Sequence, residues 1–228
     1  MTKNRLTMWF LGLGGLITTV TFFMAFFYAP PSLFRDGRID FAQKIFYFHV
    51  PVAEASFLVF FFTAFYGVRF LMTRRKEFDT KARVATEVTL VFVVLTLITG
   101  DLWTKFEWGA WWVWEPRLIT YFIMTLLVIA YFVLRSSVED EERRAVYAAV
   151  FGILAFIDAP ISFAITRLVP SGFHPVVLKS GGLEPPMLLT FIIGQIGMLM
   201  LGYAIFRLRM GEEVTRERLE TLKAALED

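Results

Sequence analysis

Trp103-Thr-Lys-Phe-Glu-Trp-Gly-Ala-Trp-Trp-Val-Trp-Glu-Pro-Arg117 joins two apolar segments near the middle of the chain. Five of the six tryptophans of the chain lie between Trp103 and Trp114. Tryptophan is large and its N–H group needs a partner, so a packed core has little use for so many indoles so close together. The stretch is therefore typical either of an aromatic belt at a membrane interface or of a platform for a flat aromatic ligand.

The segments on both sides of this stretch indicate a membrane protein. The chain has 228 residues, of which 57% are hydrophobic and 19% are charged, whereas about a quarter of the residues of a soluble domain are charged. A helix needs about 20 apolar residues to cross a bilayer, and six segments qualify: residues 6–29, 45–71, 84–100, 118–134, 145–166 and 187–208. We expect an all-α integral membrane protein with six transmembrane helices, a single domain over residues 1–228, in which residues 209–228 form a short tail with a surface helix.

The distribution of lysine and arginine predicts how the six helices are oriented. Sixteen of the 23 basic residues lie at the N-terminus, in the second and fourth loops and in the tail, and the other seven lie on the opposite side. Because basic loops stay in the cytoplasm, both termini are predicted to be cytoplasmic and the Trp-rich loop external. The chain then spans the cytoplasmic (inner) membrane with the lipid bilayer around it. Its net charge of +2 reflects this topology and gives no reason to expect nucleic acid.

The two histidines of the chain, His49 and His174, are its candidates for metal ligation. The predicted topology puts both on the face that carries the Trp-rich loop. Neutral imidazole binds iron, copper and zinc, but a zinc site needs a third or fourth ligand, and Glu54 and Glu184 have no ligand spacing with the histidines. Haem needs only one or two axial ligands from the protein. Because the chain has no cysteine, haem cannot be attached to it through thioether bonds.

The external loops contain the other groups that a haem site requires. Indole rings can stack on the porphyrin, and Arg117, Lys179 and Arg38 are external cations available to its propionates. Glu54, about one turn inside His49, could orient that imidazole or could simply lie at the polar interface.

The geometry of the Trp-rich loop depends on whether it is helical. A helix over residues 108–115 would place four side chains on an arc of about 100°, namely Trp108, Trp111, Trp112 and Glu115. Trp103 and Trp114 would then point towards neighbouring spans or lipid. Pro116 suits the first turn of the fourth span, with Glu115 near its cap. A simple interfacial belt remains the alternative for the whole loop.

Two segments resemble a known family. Trp108-Gly-Ala-Trp-Trp-Val-Trp-Glu-Pro-Arg-Leu118 resembles the Trp-rich motif of the haem-handling proteins, usually written WGxWWxWDxRL. Tyr47-Phe-His-Val-Pro51 resembles the first-histidine segment of the haem exporter protein C (CcmC) family of the cytochrome c maturation system. Glu115 stands where the family usually has aspartate, and residues 165–169, before His174, lack the aromatic residues expected there.

The resemblance implies a ligand, a set of binding residues and a set of partners. It implies that haem b is held without a covalent bond, with His49 and His174 as its axial metal ligands. The motif residues that it implies for haem binding are Trp108, Trp111, Trp112, Trp114, Glu115 and Arg117. It further implies that haem is held at the outer face and presented to the haem chaperone CcmE, beside the ATP-binding cassette subunits CcmA and CcmB and the small single-span protein CcmD. Such a role is haem transport rather than conventional enzymatic turnover.

Two other classes of function remain open from the residues themselves. An electron-transfer haem b subunit would also use histidine pairs, but such subunits place them within the spans. A non-haem membrane scaffold would use its tryptophans only as an interfacial belt.

Overall fold

The computed structural model describes residues 2–33, 39–169, 174 and 183–227, and in this part of the chain the fold is a bundle of long helices. The helices are α1 (Thr2–Phe27), α2 (Phe46–Thr73), α3 (Lys76–Trp108), α4 (Pro116–Ser137), α5 (Glu141–Phe156), α6 (Asp158–Leu168) and α7 (Pro185–Glu227). Two two-residue strands, β1 (Ser32–Leu33) and β2 (Ile39–Asp40), pair antiparallel before a short 3₁₀ turn at Ala42–Ile45. Six helical segments are long and apolar enough to cross a membrane, α5 and α6 together forming one of them. The prediction of an all-α protein with six transmembrane helices is confirmed.

The six spans alternate in direction, so the bundle has two ends. We call the end that carries the loop 109–115 and His49 the Trp end, and the end that carries the start of α1 and the end of α7 the terminal end. The lysine and arginine count predicts that the Trp end is external, and this orientation stays a prediction.

Several helices extend well beyond the predicted spans. The segment predicted at 84–100 lies inside α3, which begins at Lys76 and ends at Trp108. The segment predicted at 187–208 lies inside α7, which continues to Glu227 without a break, so the residues expected to form a separate tail helix belong to α7. Hydropathy marks only the part of a helix that crosses the bilayer. The ends continue because alanine, leucine, glutamate, lysine and arginine have high helix propensity.

The fifth span is broken into two helices. α5 ends at Phe156 and α6 begins at Asp158, with Ile157 between them. Pro160 explains the position of the break. Proline has no N–H to donate to the carbonyl of Phe156, four residues earlier, and its ring clashes with that carbonyl. The Oδ2 of Asp158, in the first turn of α6, is buried and has no hydrogen-bond partner in the described part of the chain.

The helices α1 and α7 approach each other closely at a glycine, which has no side chain. A Cβ built on Gly197 of α7 would lie 2.9 Å from the Ile17 and Thr18 side chains of α1. This close approach makes α1 mainly a neighbour of α7, whereas α2, α3, α4 and α5 surround the most buried residues of the bundle. Its interior between the two ends is filled by Phe60, Val93, Met124 and Val128, each at most 1% exposed.

Ion pairs close the terminal end. Arg135, in the last turn of α4, makes a two-pronged contact with Asp79 of α3, with N–O distances of 2.6 and 2.9 Å. Arg83 of α3 pairs with Glu213 of α7 at 2.5 Å, and Arg209 of α7 pairs with Glu87 of α3 at 2.7 Å. These contacts fix α3, α4 and α7 to one another on the side opposite to the Trp-rich loop.

Candidate functional site

A narrow cavity at the Trp end brings together most of the residues that the sequence singled out. It is lined by His49, Ala53, Thr96, Leu97, Gly100, Asp101, Trp103, Thr104, Trp108, Trp112, Arg117, Leu118, Tyr121 and His174. Five of the eight predicted site residues are in this set. The histidines, which are 125 positions apart in the sequence, lie at the same cavity, so the expectation that they share a face is met.

His49 is held between α2 and α3. It lies in the first turn of α2, and its Nδ1 is 3.0 Å from the hydroxyl oxygen of Thr99 on α3. Gly100 makes room for the ring, because a Cβ at that position would lie 3.2 Å from the His49 Cε1. The indole of Trp103 contacts the imidazole edge-on, with the ring centroids 6.0 Å apart. Thr99, and not Glu54, is therefore the side chain that bonds to His49.

The Trp-rich loop is irregular rather than helical. α3 ends at Trp108 because Gly109 adopts a left-handed backbone, with φ at +76°, that favours glycine. The buried hydroxyl of Thr104 donates to the carbonyl of Trp111 at 2.7 Å, and the Lys105 ammonium donates to that of Gly109 at 3.2 Å. Both bonds tie the loop back onto α3. The interpretation of residues 108–115 as one helix with a shared arc is thus wrong.

Glu115 connects the loop to α4 and to His174. Its backbone is extended, its Oε1 accepts the Leu118 N–H at 2.7 Å, and Pro116 occupies the first helical position, which confirms the predicted cap. The same Oε1 is 2.9 Å from Nδ1 of His174, whose ring also contacts the Trp108 indole with centroids 5.5 Å apart. The Glu115 side chain is only 2% exposed.

The surroundings of Glu115 favour its charged form. Burial raises the pKa of the carboxyl, but the hydrogen bond and charge of His174 and the backbone N–H groups of Leu118 and Arg117 outweigh burial. The net effect is a pKa of Glu115 below its ordinary value of 4.5. The site therefore contains a buried carboxylate beside one of its two imidazoles.

The structure divides the tryptophans into those that line the cavity and those that are exposed, and this division differs from the predicted one. Trp103 was expected to point away from the site, but it lines the cavity together with Trp108 and Trp112. Trp111 and Trp114 are outside the lining and are 59% and 76% exposed. Lys105 lies over the Trp111 ring at 5.8 Å.

Two donors in the cavity wall are available to an anionic group. The Nε1 of Trp112 is buried and has no hydrogen-bond partner in the described ranges, and a buried donor without a partner is costly. Arg117 lines the same cavity. The other two predicted propionate partners, Arg38 and Lys179, lie outside the described residues.

The chemistry of this lining fits haem better than a bare metal ion. Residues 2–33, 39–169, 174 and 183–227 contain no group of three or more His, Asp or Glu side chains that could hold a metal. Porphyrin iron needs only two axial nitrogens, and the cavity supplies two imidazoles, apolar indole walls and donors for carboxylates. The cavity measures about 40 Å³, however, which is room for water molecules and not for a porphyrin.

Sequence reasoning missed the residues that hold the site in place. Thr99, Gly100 and Thr104 all belong to the last part of α3, and Thr99 is 50 positions away from its partner His49. Their only sequence signal is position: they lie on the same helix as Trp103 and Trp108, within three turns of the loop.

Comparison with known proteins agrees with this architecture. The family profile described as "Heme exporter protein C" matches residues 1–225. The chain belongs to the Heme exporter protein C family. Two bacterial relatives bear the same name: that of Rhodobacter capsulatus is 24% identical over 226 residues, 97% of this chain and 92% of the relative. That of Bradyrhizobium diazoefficiens is 28% identical over 196 residues, 85% and 73% of the two chains.

A plant protein is also similar to this chain. A Marchantia polymorpha protein described as a putative cytochrome c biosynthesis ccmC-like mitochondrial protein is 30% identical over 151 residues. The match covers 66% of this chain and 62% of the plant protein, which is less than two thirds of either.

Proposed function

We propose that this chain binds haem b at the external face of the inner membrane and presents it to the haem chaperone CcmE for cytochrome c maturation. The observation that carries the proposal is the meeting of the two histidines at one cavity walled by indoles. Membership of the Heme exporter protein C family supports the coarser part, which is haem handling for cytochrome c maturation. The excess of lysine and arginine at the terminal end supports an external site.

Each predicted site residue has a role in this proposal. His49 and His174 supply the axial nitrogens to the iron, and Trp108 and Trp112 stack against the porphyrin. The indole N–H of Trp112 and the guanidinium of Arg117 receive the propionates.

Trp111 and Trp114 extend the same surface outwards. Their exposed rings cover the part of the macrocycle that the cavity leaves open, and the chaperone approaches the haem from this side. Glu115 acts on His174 rather than on the haem itself.

Loading requires the lining to open. Because the cavity holds only about 40 Å³, Trp112 and His174 must move away from His49 for a porphyrin to enter. In this proposal CcmA, CcmB and CcmD are the partners beside which the chain works, and the lipid bilayer surrounds it.

An absorption spectrum tests the proposal. The purified protein, supplied with haem, should show a Soret band and a bis-histidine spectrum that His49→Ala or His174→Ala changes. Trp112→Ala should lower haem occupancy, whereas Trp9→Ala, at an indole 74% exposed on α1, should leave it unchanged. Normal membrane expression without haem, even when haem is supplied, would refute haem binding.

A second measurement separates the proposal from electron transfer. Haem on the purified protein should move to CcmE when the two are mixed. Fast reversible reduction by a quinol, without transfer to the chaperone, would instead favour a haem b electron-transfer subunit. A variant with two indoles replaced by phenylalanine that matures cytochrome c normally would favour the scaffold with an interfacial belt.

A further inference from the structure

Three leucines near the end of α7 form an exposed stripe that the haem site does not use. Leu219, Leu222 and Leu226 lie beyond the span predicted at residues 187–208 and are 51%, 61% and 87% exposed. Their spacings of three and four residues place them within an arc of about 60° on one face of the helix. Single exposed leucines are normal on a protein surface, but leucines repeated at this spacing are the pattern through which two helices pair. We call these three residues the leucine stripe.

The rest of the chain packs against the opposite face of α7. Glu213 is only 8% exposed, and its carboxylate pairs with Arg83 of α3. Glu217 and Glu220 line a groove that α7 forms with the neighbouring helices at the terminal end. These acidic side chains lie more than about 120° around the helix from the leucine stripe. α7 therefore turns its acidic face towards the bundle and its leucines away from it.

The bilayer does not cover the leucine stripe. α7 runs without a break from Pro185 to Glu227, so residues 209–227 continue in the direction of the span and reach about 28 Å beyond it. The ion pair of Arg209 with Glu87 of α3, at 2.7 Å, holds the start of this extension against the bundle. A helix that leaves the membrane in this way stands in water, and its leucines stand there with it.

Basic residues flank the leucine stripe on both sides. When the three leucines occupy positions a and d of a heptad, the neighbouring positions e and g decide which helix can pair with them. These positions contain three basic residues and no acidic one: Arg216, Arg218, Lys223 and Ala225. Lys223 contacts Glu220 at 3.2 Å, but both side chains are about two thirds exposed, so this pair is weak.

This charge pattern disfavours a second copy of the chain as the partner. Two copies have the same orientation in one membrane, so their α7 helices would pair in parallel. In a parallel pair a g residue meets the following e residue of the other helix, which would bring Arg218 against Lys223 of the second copy. A helix with glutamate or aspartate at e and g would instead form ion pairs at these positions.

We propose that the leucine stripe is a docking site for an amphipathic helix of another protein, with apolar residues at its a and d positions and acidic residues at e and g. The stripe lies at the end of the bundle opposite to the haem site, so the inference does not depend on the proposed function. It covers only about two helical turns. The contact is therefore weak by itself and suits a partner that the same membrane complex already holds close by.

Disulfide trapping tests this surface even if the contact is weak. Because the chain has no cysteine, Leu222→Cys gives the full-length protein a single thiol within the stripe. The probes are two synthetic helices of about three heptads with the same leucines and one cysteine at d, which carry either glutamate or lysine at e and g. In a glutathione buffer the glutamate helix should be trapped at least about tenfold more than the lysine helix. The difference should shrink in about 1 M salt.

Two further variants separate docking from chance collision. Val214→Cys is the matched control, because Val214 is 40% exposed on the same part of α7 but lies outside the stripe. It should trap both helices equally and weakly. Adding Arg218→Glu and Lys223→Glu to Leu222→Cys should reverse the preference in favour of the lysine helix. Both positions are exposed, so we expect these variants to fold as wild type does.

Each other occupant of the stripe gives a distinct result that overturns the proposal. Disulfide-linked dimers of Leu222→Cys in membranes, formed more readily than those of Val214→Cys, would show that a second copy covers the stripe. A polarity-sensitive fluorophore on Leu222→Cys that shifts to the blue in anionic nanodiscs without any added helix would show that lipid covers it. Equal trapping of the glutamate and lysine helices, or trapping no stronger than at Val214→Cys, would show that the stripe does not select an acidic partner.

Discussion

At the scale of single residues, the packing of His49 against α3 depends on Gly100, which has no side chain. Gly100→Ala would place a Cβ 3.2 Å from the His49 Cε1, closer than carbon atoms pack without strain. The ring would have to turn and would lose its alignment with Thr99. We expect a weakened His49 ligand and a shifted Soret maximum in the haem-loaded variant.

A matched glycine controls for this effect. A Cβ on Gly12 of α1 would have no atom within 4 Å in the described chain. Gly12→Ala should keep the wild-type spectrum and gain up to about 1 kcal/mol of helix stability. If Gly100→Ala has the same spectrum as Gly12→Ala, the close contact with His49 has no part in haem ligation.

The carboxyl of Glu115 makes a pH-dependent contribution to stability. Its folded-state pKa lies below the ordinary value of 4.5, so this contribution is complete above that pH and is lost as the pH falls through the folded-state value. Thermal unfolding of the haem-free protein should show wild type more stable than Glu115→Gln at about pH 7, with the difference shrinking only in strong acid. A constant difference down to about pH 2 would contradict the lowered pKa.

The residues that could be predicted from sequence are those whose chemistry is rare in this chain. His49, His174 and the Trp-rich motif stand out by composition and order, and the cavity brings the histidines, Trp108, Trp112 and Arg117 together. Thr99 and Gly100 could not be found in this way, because threonine and glycine are common in membrane helices and their role depends on how α3 is rotated against α2. Trp103 was misjudged for the same reason.

At the scale of helices, hydropathy found all six spans but not their ends. The apolar pattern stops near residue 100, whereas α3 continues to Trp108 and carries Trp103, Thr104 and Trp108 into the site. Only the left-handed backbone at Gly109 ends the helix. Pro160 was visible in the sequence, but whether it bends or breaks a span depends on packing around it.

The contact between α3 and α4 at the terminal end should have a measurable stability. The Asp79 and Arg135 side chains are 14% and 12% exposed, and removing one partner of a buried pair leaves an uncompensated charge. We expect Asp79→Ala to lower the free energy of unfolding by about 3 kcal/mol. Denaturant or thermal unfolding in detergent would measure it.

An exposed pair is the control for that loss. Glu220 and Lys223 on α7 are 64% and 66% exposed, and pairs of this kind contribute at most about 1 kcal/mol. Glu220→Ala should therefore be close to neutral. Similar losses for Asp79→Ala and Glu220→Ala would contradict a buried role for the α3–α4 pair.

At the scale of the whole molecule, the two polar ends are separated by a packed apolar interior. Phe60, Val93, Met124 and Val128 fill it, so we expect haem to reach the Trp end from outside the bundle and not through it. Met124→Ala, which opens a cavity in this region, should cost about 2–5 kcal/mol of stability. Haem occupancy and loading rate of the folded fraction should stay at wild-type values.

Loading kinetics distinguish this arrangement from a path through the bundle. A faster loading of Met124→Ala than of wild type would indicate that haem passes through the interior. Trp112→Ala, at the mouth of the site, provides the contrast, since it should lower occupancy with a smaller loss of stability.

The narrowness of the cavity has a thermodynamic consequence for delivery. A site that is closed at rest and must open to receive its ligand binds more weakly than its contacts alone would allow, by the fraction of molecules that are open. Reclosing after release recovers the free energy that opening costs. If the chain functions as proposed, such a site favours passing haem to the next protein over keeping it, because release recovers the free energy that opening costs.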